Sequence, residues 1–198
     1  MPAEPSLWRE VPTLSDGALT LLPLFPEDGE AILAASRDGE MWKLFFTAAP
    51  GPDTIDAWME RAASEQRGGR SLPLKVVVDG VVVGSTRFMR LNPAHRRLEI
   101  GTTFYAASRQ RTGVNTRVKR LMLAHAFDTM GCLAVQFRTD WFNRPSRTAI
   151  ERLGAKMDGV LRNHTIMADG RVRDTVCYSV LANEWAGVRQ NLDFLARD

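Results

Sequence analysis

Between Gln110 and Thr116 the chain reads QRTGVNT, a polar turn with one glycine and with guanidinium groups at Arg109 and Arg111. Directly after it, Val118, Leu121, Met122 and Ala126 recur at the i, i+3, i+4, i+8 spacing of an apolar helix stripe. A helix therefore starts at the turn. Its unpaired backbone N–H groups and the positive end of its dipole form a natural phosphate site, and Gly113 lets a ligand come close to the backbone. Before the turn, the segment from Leu98 alternates as a strand. Leu98, Ile100 and Phe104 fall on one side, and Glu99, Gly101, Thr103 and Tyr105 on the other. The chemistry on offer is a polyphosphate cradle at the end of a strand that carries one carboxylate among small neighbours.

The rest of the chain supplies the elements that hold this unit. Residues 1–16 are rich in proline and polar groups and read as an arm; residues 17–185 form the domain, and residues 186–198 a helical tail packed on it. Gly17 to Leu24 alternates as a first strand. PEDGEAILAASR from Pro26 to Arg37 has proline and acids early and a basic residue late, the polarity a helix prefers. A second helix runs to about Arg67, with Asp53 or Thr54 as its cap and Ile55, Trp58, Met59 and Ala62 inward. Between the two helices lies an irregular aromatic segment with Trp42, Phe45 and Phe46. The Asp79-Gly80 pair between β-branched runs predicts a hairpin from Leu74 to Leu91. A strand over 133–139 follows the central helix, and a helical crossover favours parallel pairing with the strand before it. Asn143 to Leu153 reads as a helix ended by Gly154, with Ala149, Ile150 and Leu153 inward. A second hairpin turns at Asp169-Gly170, and a short helix starts near Asn183. The expected fold is α+β, an α/β sandwich: a mixed, mostly antiparallel sheet of about seven strands with helices on both faces.

Composition narrows the function. With 198 residues the chain can bury a core without disulfide or metal support. Cys132 and Cys177 stand far apart, and His95, His125 and His164 are scattered, so no metal site is expected. No stretch approaches the ~20 apolar residues of a membrane span, and the N-terminus lacks a leader pattern, so a cytoplasmic protein is expected. Net charge is +3, but the arginines are dispersed among acidic neighbours instead of forming a stripe with aromatics, which argues against nucleic acid as the partner.

The order of elements, together with Gln110, Gly113 and Asn115, resembles the GNAT superfamily of acyl-CoA-dependent N-acetyltransferases. Its phosphate-loop pattern is Q/R-x-x-G-x-G/A; Gln110 and Gly113 fit, and Asn115 departs from the last position. The segment NRPSRTAIERLGA, the LEIG strand, the GVLR run at 159–162 and the RDTVCYSVLANEW ending resemble the RimJ/RimL branch.

This resemblance implies a co-substrate, acetyl-CoA, and an acceptor that is a primary amine, either a peptide N-terminus or a small molecule. The backbone of Arg111, Thr112, Gly113, Val114, Asn115 and Thr116 would cradle the pyrophosphate, with the Asn115 carboxamide capping the helix. A backbone N–H near Thr103 would polarise the thioester carbonyl, and Asn143 would contact the pantetheine or sulfur. Glu99 matches a strand glutamate that serves as general base in some members. The tyrosine that often protonates the leaving thiolate is replaced by Ile150, and Ser146 takes the place of a serine near the sulfur. Trp42, Phe45, Phe46, Asp140 and Trp141 are the candidates for the acceptor pocket. A catalyst and a non-catalytic acyl-CoA-binding module both stay open here, as do monomer and homodimer.

Overall fold

The Asp79-Gly80 turn takes left-handed backbone at both positions, φ 51° and 78°, as the favoured two-residue hairpin turn requires. It joins β3 (Ser71–Val78) to β4 (Val81–Asn92). The computed structural model describes residues 5–167 and 169–196. Its other strands are β1 (Leu14–Asp16), β2 (Leu19–Pro23), β5 (Arg97–Tyr105), β6 (Ala134–Asp140), β7 (Lys156–Ile166) and β8 (Val172–Leu181). The helices are α1 (Gly29–Arg37), α2 (Ile55–Arg67), α3 (Val114–Ala124), α4 (Arg144–Arg152) and α5 (Trp185–Leu195), and α3 continues into a wider π turn over His125–Thr129.

All eight strands form one sheet in the order β1-β2-β3-β4-β5-β6-β8-β7. The strand beyond the expected seven is β1, three residues at the end of the segment read as an arm, folded back on β2. The expected α+β sandwich is present, and β5–β6 is the parallel pair that the helical crossover requires. The cap of α2 differs in detail. Thr54 stands at the start of the helix, but its hydroxyl accepts from the Gly51 N–H at 2.8 Å instead of from the first turn.

One face of the sheet packs Leu98, Ile100, Phe88, Val135, Phe137, Val176 and Tyr178 against Val118 and Met122 of α3, Ile150 of α4 and Leu192 of α5. A smaller cluster on the other face joins Ile32 of α1 and Ile55, Met59 and Ala62 of α2 to Phe104. Each fully buried side chain of this size stabilises the fold by about 1.5–3 kcal/mol relative to exposure.

Phe104 therefore faces away from Leu98 and Ile100, contrary to the alternation expected from the sequence. The cause is a bulge. Arg87 pairs with Gly101 and Ser85 with Phe104, so three steps on β5 match two on β4, and Thr102 takes a left-handed φ of 48°. The extra residue turns Thr103 and Tyr105 toward α3 and leaves Glu99 and Gly101 facing the α1–α2 side.

Candidate active site

β5 and β6 pair only over Arg97–Glu99 and Ala134–Gln136, although both continue, to Tyr105 and Asp140. Beyond Glu99 the strands diverge. Backbone groups along that edge of β5 have no sheet partner in β6, which leaves them available to a ligand lying in the gap. The bulge at Thr102 sits inside this stretch.

At the far end of β5 the chain enters the polar turn. Gln110 donates from its side-chain amide to the Tyr105 carbonyl at 3.2 Å, and the Thr112 hydroxyl donates to the Arg109 carbonyl at 2.8 Å. Arg111 and Gly113 are left-handed, φ 61° and 80°, and Gly113 is the residue from which α3 starts. The first helical bond runs from the Arg117 N–H to the Gly113 carbonyl, so the N–H groups of Val114, Asn115 and Thr116 point out of the helix end. A Cβ on Gly113 would meet no atom within 4 Å, so the space in front of the loop is open. Asn115 does not cap the helix as expected. It lies within the first turn, and no side chain closes that end. The loop turns by the positive φ of Arg111 and Gly113, so the residue at 115 only has to be helical. These features fit a pyrophosphate.

The Thr103 hydroxyl shares a 2.8 Å hydrogen bond with the Thr86 hydroxyl and accepts another of 2.8 Å from the Lys119 ammonium of α3. Lys119 is buried with no carboxylate beside it among the described residues, and burial drives its pKa from an ordinary 10.5 to about 7. Nothing in the sequence marks it out beyond its being a lysine inside an apolar stripe.

On the opposite face, Glu99 is 5% exposed. Arg90 Nε lies 2.9 Å and Arg138 Nε 3.3 Å from its Oε2, at ion-pair distance but without an aligned hydrogen bond to that oxygen. Burial raises the Glu99 pKa above the usual carboxylate range, against the opposing pull of Arg90, Arg138 and Arg173. The small neighbour is Gly101: a Cβ there would stand 3.3 Å from Glu99 Oε1 and 2.8 Å from Met89 Sδ.

Asp140, at the end of β6, is buried. Its Oδ1 accepts from the Phe142 N–H at 2.9 Å and its Oδ2 pairs with Arg171 Nη2 at 2.7 Å. Arg171 also lies 5.0 Å from the centre of the Phe45 ring, and Phe45 touches Phe46 and Phe142. Phe45 is exposed, and Trp42 and Phe46 are half-buried, so the aromatic segment rims this side of the sheet instead of filling a core. Trp141 does not join Asp140 in the cleft. It packs on the α3–α4–α5 cluster beneath Arg147, 4.4 Å away, because consecutive residues leave a strand on opposite faces. Inside α4, buried Arg147 replaces Ala149 as an inward position; it donates to the Tyr178 hydroxyl at 3.2 Å. The Asn143 side chain caps α4 by accepting from the Ser146 N–H at 3.1 Å. Ile150 is buried in the core, so no hydroxyl is presented from that position.

A separate groove of about 500 Å³, between His95, Arg97, Asp158 and Leu181, lies where β5 and β6 still pair, away from the divergence. Among the described residues no cluster of three or more metal-ligating side chains occurs, and no helix is long and apolar enough to cross a membrane.

The family model for the acetyltransferase (GNAT) domain matches residues 18–156. The chain belongs to the GNAT acetyltransferase family. A GCN5-related N-acetyltransferase from Brucella melitensis is 28% identical and superposes with a TM-score of 0.82, over 94% of this chain and 86% of that one. A chain from T. thermophilus is 31% identical with a TM-score of 0.80, over 92% and 95%. Mycobacterium smegmatis RimJ in complex with CoA-disulfide is 24% identical with a TM-score of 0.78, over 96% and 97%, an agreement of fold. A comparison with curated proteins found no match. The diverging strands, the bulge and the left-handed loop thus belong to a GNAT domain.

Proposed function

We propose that this GNAT domain is an acetyltransferase of the RimJ/RimL-like branch that moves an acetyl group from acetyl-CoA to a primary amine by direct attack in a ternary complex. The observation that carries the reading is the gap between β5 and β6: the phosphate loop opens at its end, and Glu99 faces it from the other side of the sheet. The loop N–H groups from Val114 to Thr116 hold the pyrophosphate, with Arg111 as counter-charge. Unpaired β5 backbone near the Thr102 bulge binds the thioester arm and polarises its carbonyl.

The acceptor arrives on the α1–α2 side, past Phe45 and Phe46. An alkylammonium has a pKa of about 10.4 and an α-amine about 7.7–8.0, so the nitrogen must lose a proton before attack. Glu99, directly or through one water, takes that proton. The C–N bond forms as the C–S bond breaks, and the thiolate leaves and is protonated from solvent or through Ser146, in the first turn of α4. In balance, R–NH2 and CH3CO–S–CoA give R–NH–COCH3 and HS–CoA.

The test is release of CoA thiol from acetyl-CoA with a panel of peptide α-amines, lysine side chains and small amines. Acceptor-dependent release supports catalysis. CoA binding with no release for any acceptor would replace it with the binding-module reading, which the buried Ile150 at the usual acid position favours.

A further inference from the structure

Four guanidinium groups gather on the acceptor side of the divergence, from three separate stretches of chain. Arg90 comes from β4, Arg138 from β6, Arg173 from β8, and Arg171 from just before β8. Facing them are two carboxylates, Glu99 and Asp140. Even with both ionised, four positive charges meet two negative ones. The pairings also leave donors over. Arg138 Nε, Arg173 Nε, and Arg171 Nε and Nη1 are buried atoms without a hydrogen-bond partner among the described residues. A buried guanidinium N–H without an acceptor is costly, so a cluster of them implies an acceptor that belongs there.

Arg87 shows what a structural arginine looks like in the same sheet. It also has an unpartnered Nε, but its side chain is 2% exposed, closed under α2, paired with Glu65 at 3.2 Å and stacked 4.5 Å over the Trp58 ring. The side chains of Arg138, Arg171 and Arg173 keep 22–24% exposure, so part of each is open to a ligand beside the buried nitrogens, and an anion there meets the charge that the two carboxylates leave unmatched. Arg138 and Glu99 stand 3.3 Å apart, so an anion on these guanidiniums lies within one small molecule's length of the base. Guanidinium forks suit planar oxyanions, which they bind through paired N–H groups.

We propose that the acceptor is an amine that also carries a carboxylate, which Arg138 and Arg173, with Arg171, clamp while its nitrogen points into the gap beside Glu99. The clamp rests on the acetyl-transfer reading for its use, but anion binding can be measured without turnover. Arg171 ties the aromatic rim to Asp140, so it closes the outer side of the clamp. Arg90, more than half exposed, serves as partner of Glu99.

The experiment pairs each anionic acceptor with a neutral analogue. The arms are free amino acids against amino acid amides, peptides with Asp or Glu at the second position against Asn or Gln there, and phosphoethanolamine against ethanolamine. The proposal expects at least tenfold higher kcat/KM for carboxylate-bearing amines. It also expects Arg138→Gln and Arg173→Gln to erase that preference by raising the acceptor KM, with the KM for acetyl-CoA unchanged and partial rescue by Arg173→Lys. The first two arms distinguish an α-carboxylate from an acidic side chain; a preference confined to phosphoethanolamine overturns the carboxylate assignment. Equal rates for charged and neutral acceptors overturn the proposal, as does an equal loss for both in the arginine variants. Calorimetric titration of the CoA-loaded protein with the same pairs separates this from the catalytic reading: selective carboxylate binding without thiol release supports the clamp while the catalytic reading fails. Thermal melts of each variant identify those that fail to fold; for these, salt titration of the wild type decides, with a selective fall in carboxylate affinity expected and an unchanged affinity counting against the clamp.

Discussion

Lys119→Met is expected to make the protein more stable at neutral pH. The ammonium is buried between α3 and the sheet, with the Thr103 and Thr86 hydroxyls as its partners among the described residues, at 2.8 and 3.3 Å. Its pKa falls from 10.5 to about 7 on burial. A drop of that size means that holding the charged form inside the fold costs on the order of 5 kcal/mol relative to the neutral amine. Between pH 7 and 10.5 the unfolded chain binds this proton and the folded one increasingly does not, so wild-type stability rises through that window and loses the gain as pH falls toward 7. Methionine has similar length and no charge. The two threonine hydroxyls stay bonded to each other at 2.8 Å, so losing the lysine leaves neither without a partner. Deducting about 1 kcal/mol for each of the two lost hydrogen bonds leaves a net gain of roughly 3 kcal/mol at pH 7. For a chain of this size that is a rise of about 6–12 °C in Tm. Urea unfolding of both proteins from pH 6.5 to 10 measures it: the advantage of the variant should shrink as pH rises and change sign at pH ~9, where the falling charge penalty equals the two lost hydrogen bonds. A variant less stable than wild type at pH 7, with both curves parallel, would refute the reasoning.

Two further outcomes concern the site directly. Glu99→Gln should lower kcat/KM for a lysine-like acceptor by about 10²-fold at pH 7 and progressively less toward pH 10, where solution supplies free amine. Because burial lifts the carboxyl above its ordinary range, the wild-type acid limb should lie at higher pH than a free glutamate's, read from kcat/KM against pH; a pH-independent loss would make Glu99 structural. Gly113→Val should weaken CoA binding at least tenfold in calorimetry, since φ of 80° is strained for a β-branched residue and the added methyls enter the space before the helix end. Unchanged affinity in a folded variant would remove the loop from the phosphate site.

How far the sequence can be read depends on how local each determinant is. The Asp79-Gly80 hairpin, the α3 stripe and the parallel crossover depend on nearby residues or on chain connectivity, and all appear in the structure. The bulge at Thr102 is invisible in the sequence because it is set by how β4 and β5 pair, and strict alternation without it puts Phe104 on the wrong face and Glu99 beside Thr103. The loop is legible, but its mechanics are not: Asn115 suggests a cap, whereas left-handed Arg111 and Gly113 make the turn. The arginine cluster leaves a faint trace. Arg138 and Asp140 at the end of β6, and Arg171 and Arg173 around the start of β8, are charged at alternate positions, and period-2 charge along a strand marks one polar face. Nothing in the sequence brings residues 90, 138 and 171 together except the finished sheet.

The bulge has a kinetic consequence. By rotating β5 halfway along its length, it makes the sheet a partition: Thr103 and the phosphate loop belong to the α3 side, and Glu99 and its arginines to the other, with the unpaired stretch of β5 and β6 as the opening between them. On the proposed function, donor and acceptor would use separate entrances, and neither would block the other's route. Sterics therefore impose no compulsory order of addition, and initial-rate plots against either substrate should fit a random sequential scheme, with each product leaving through its own side.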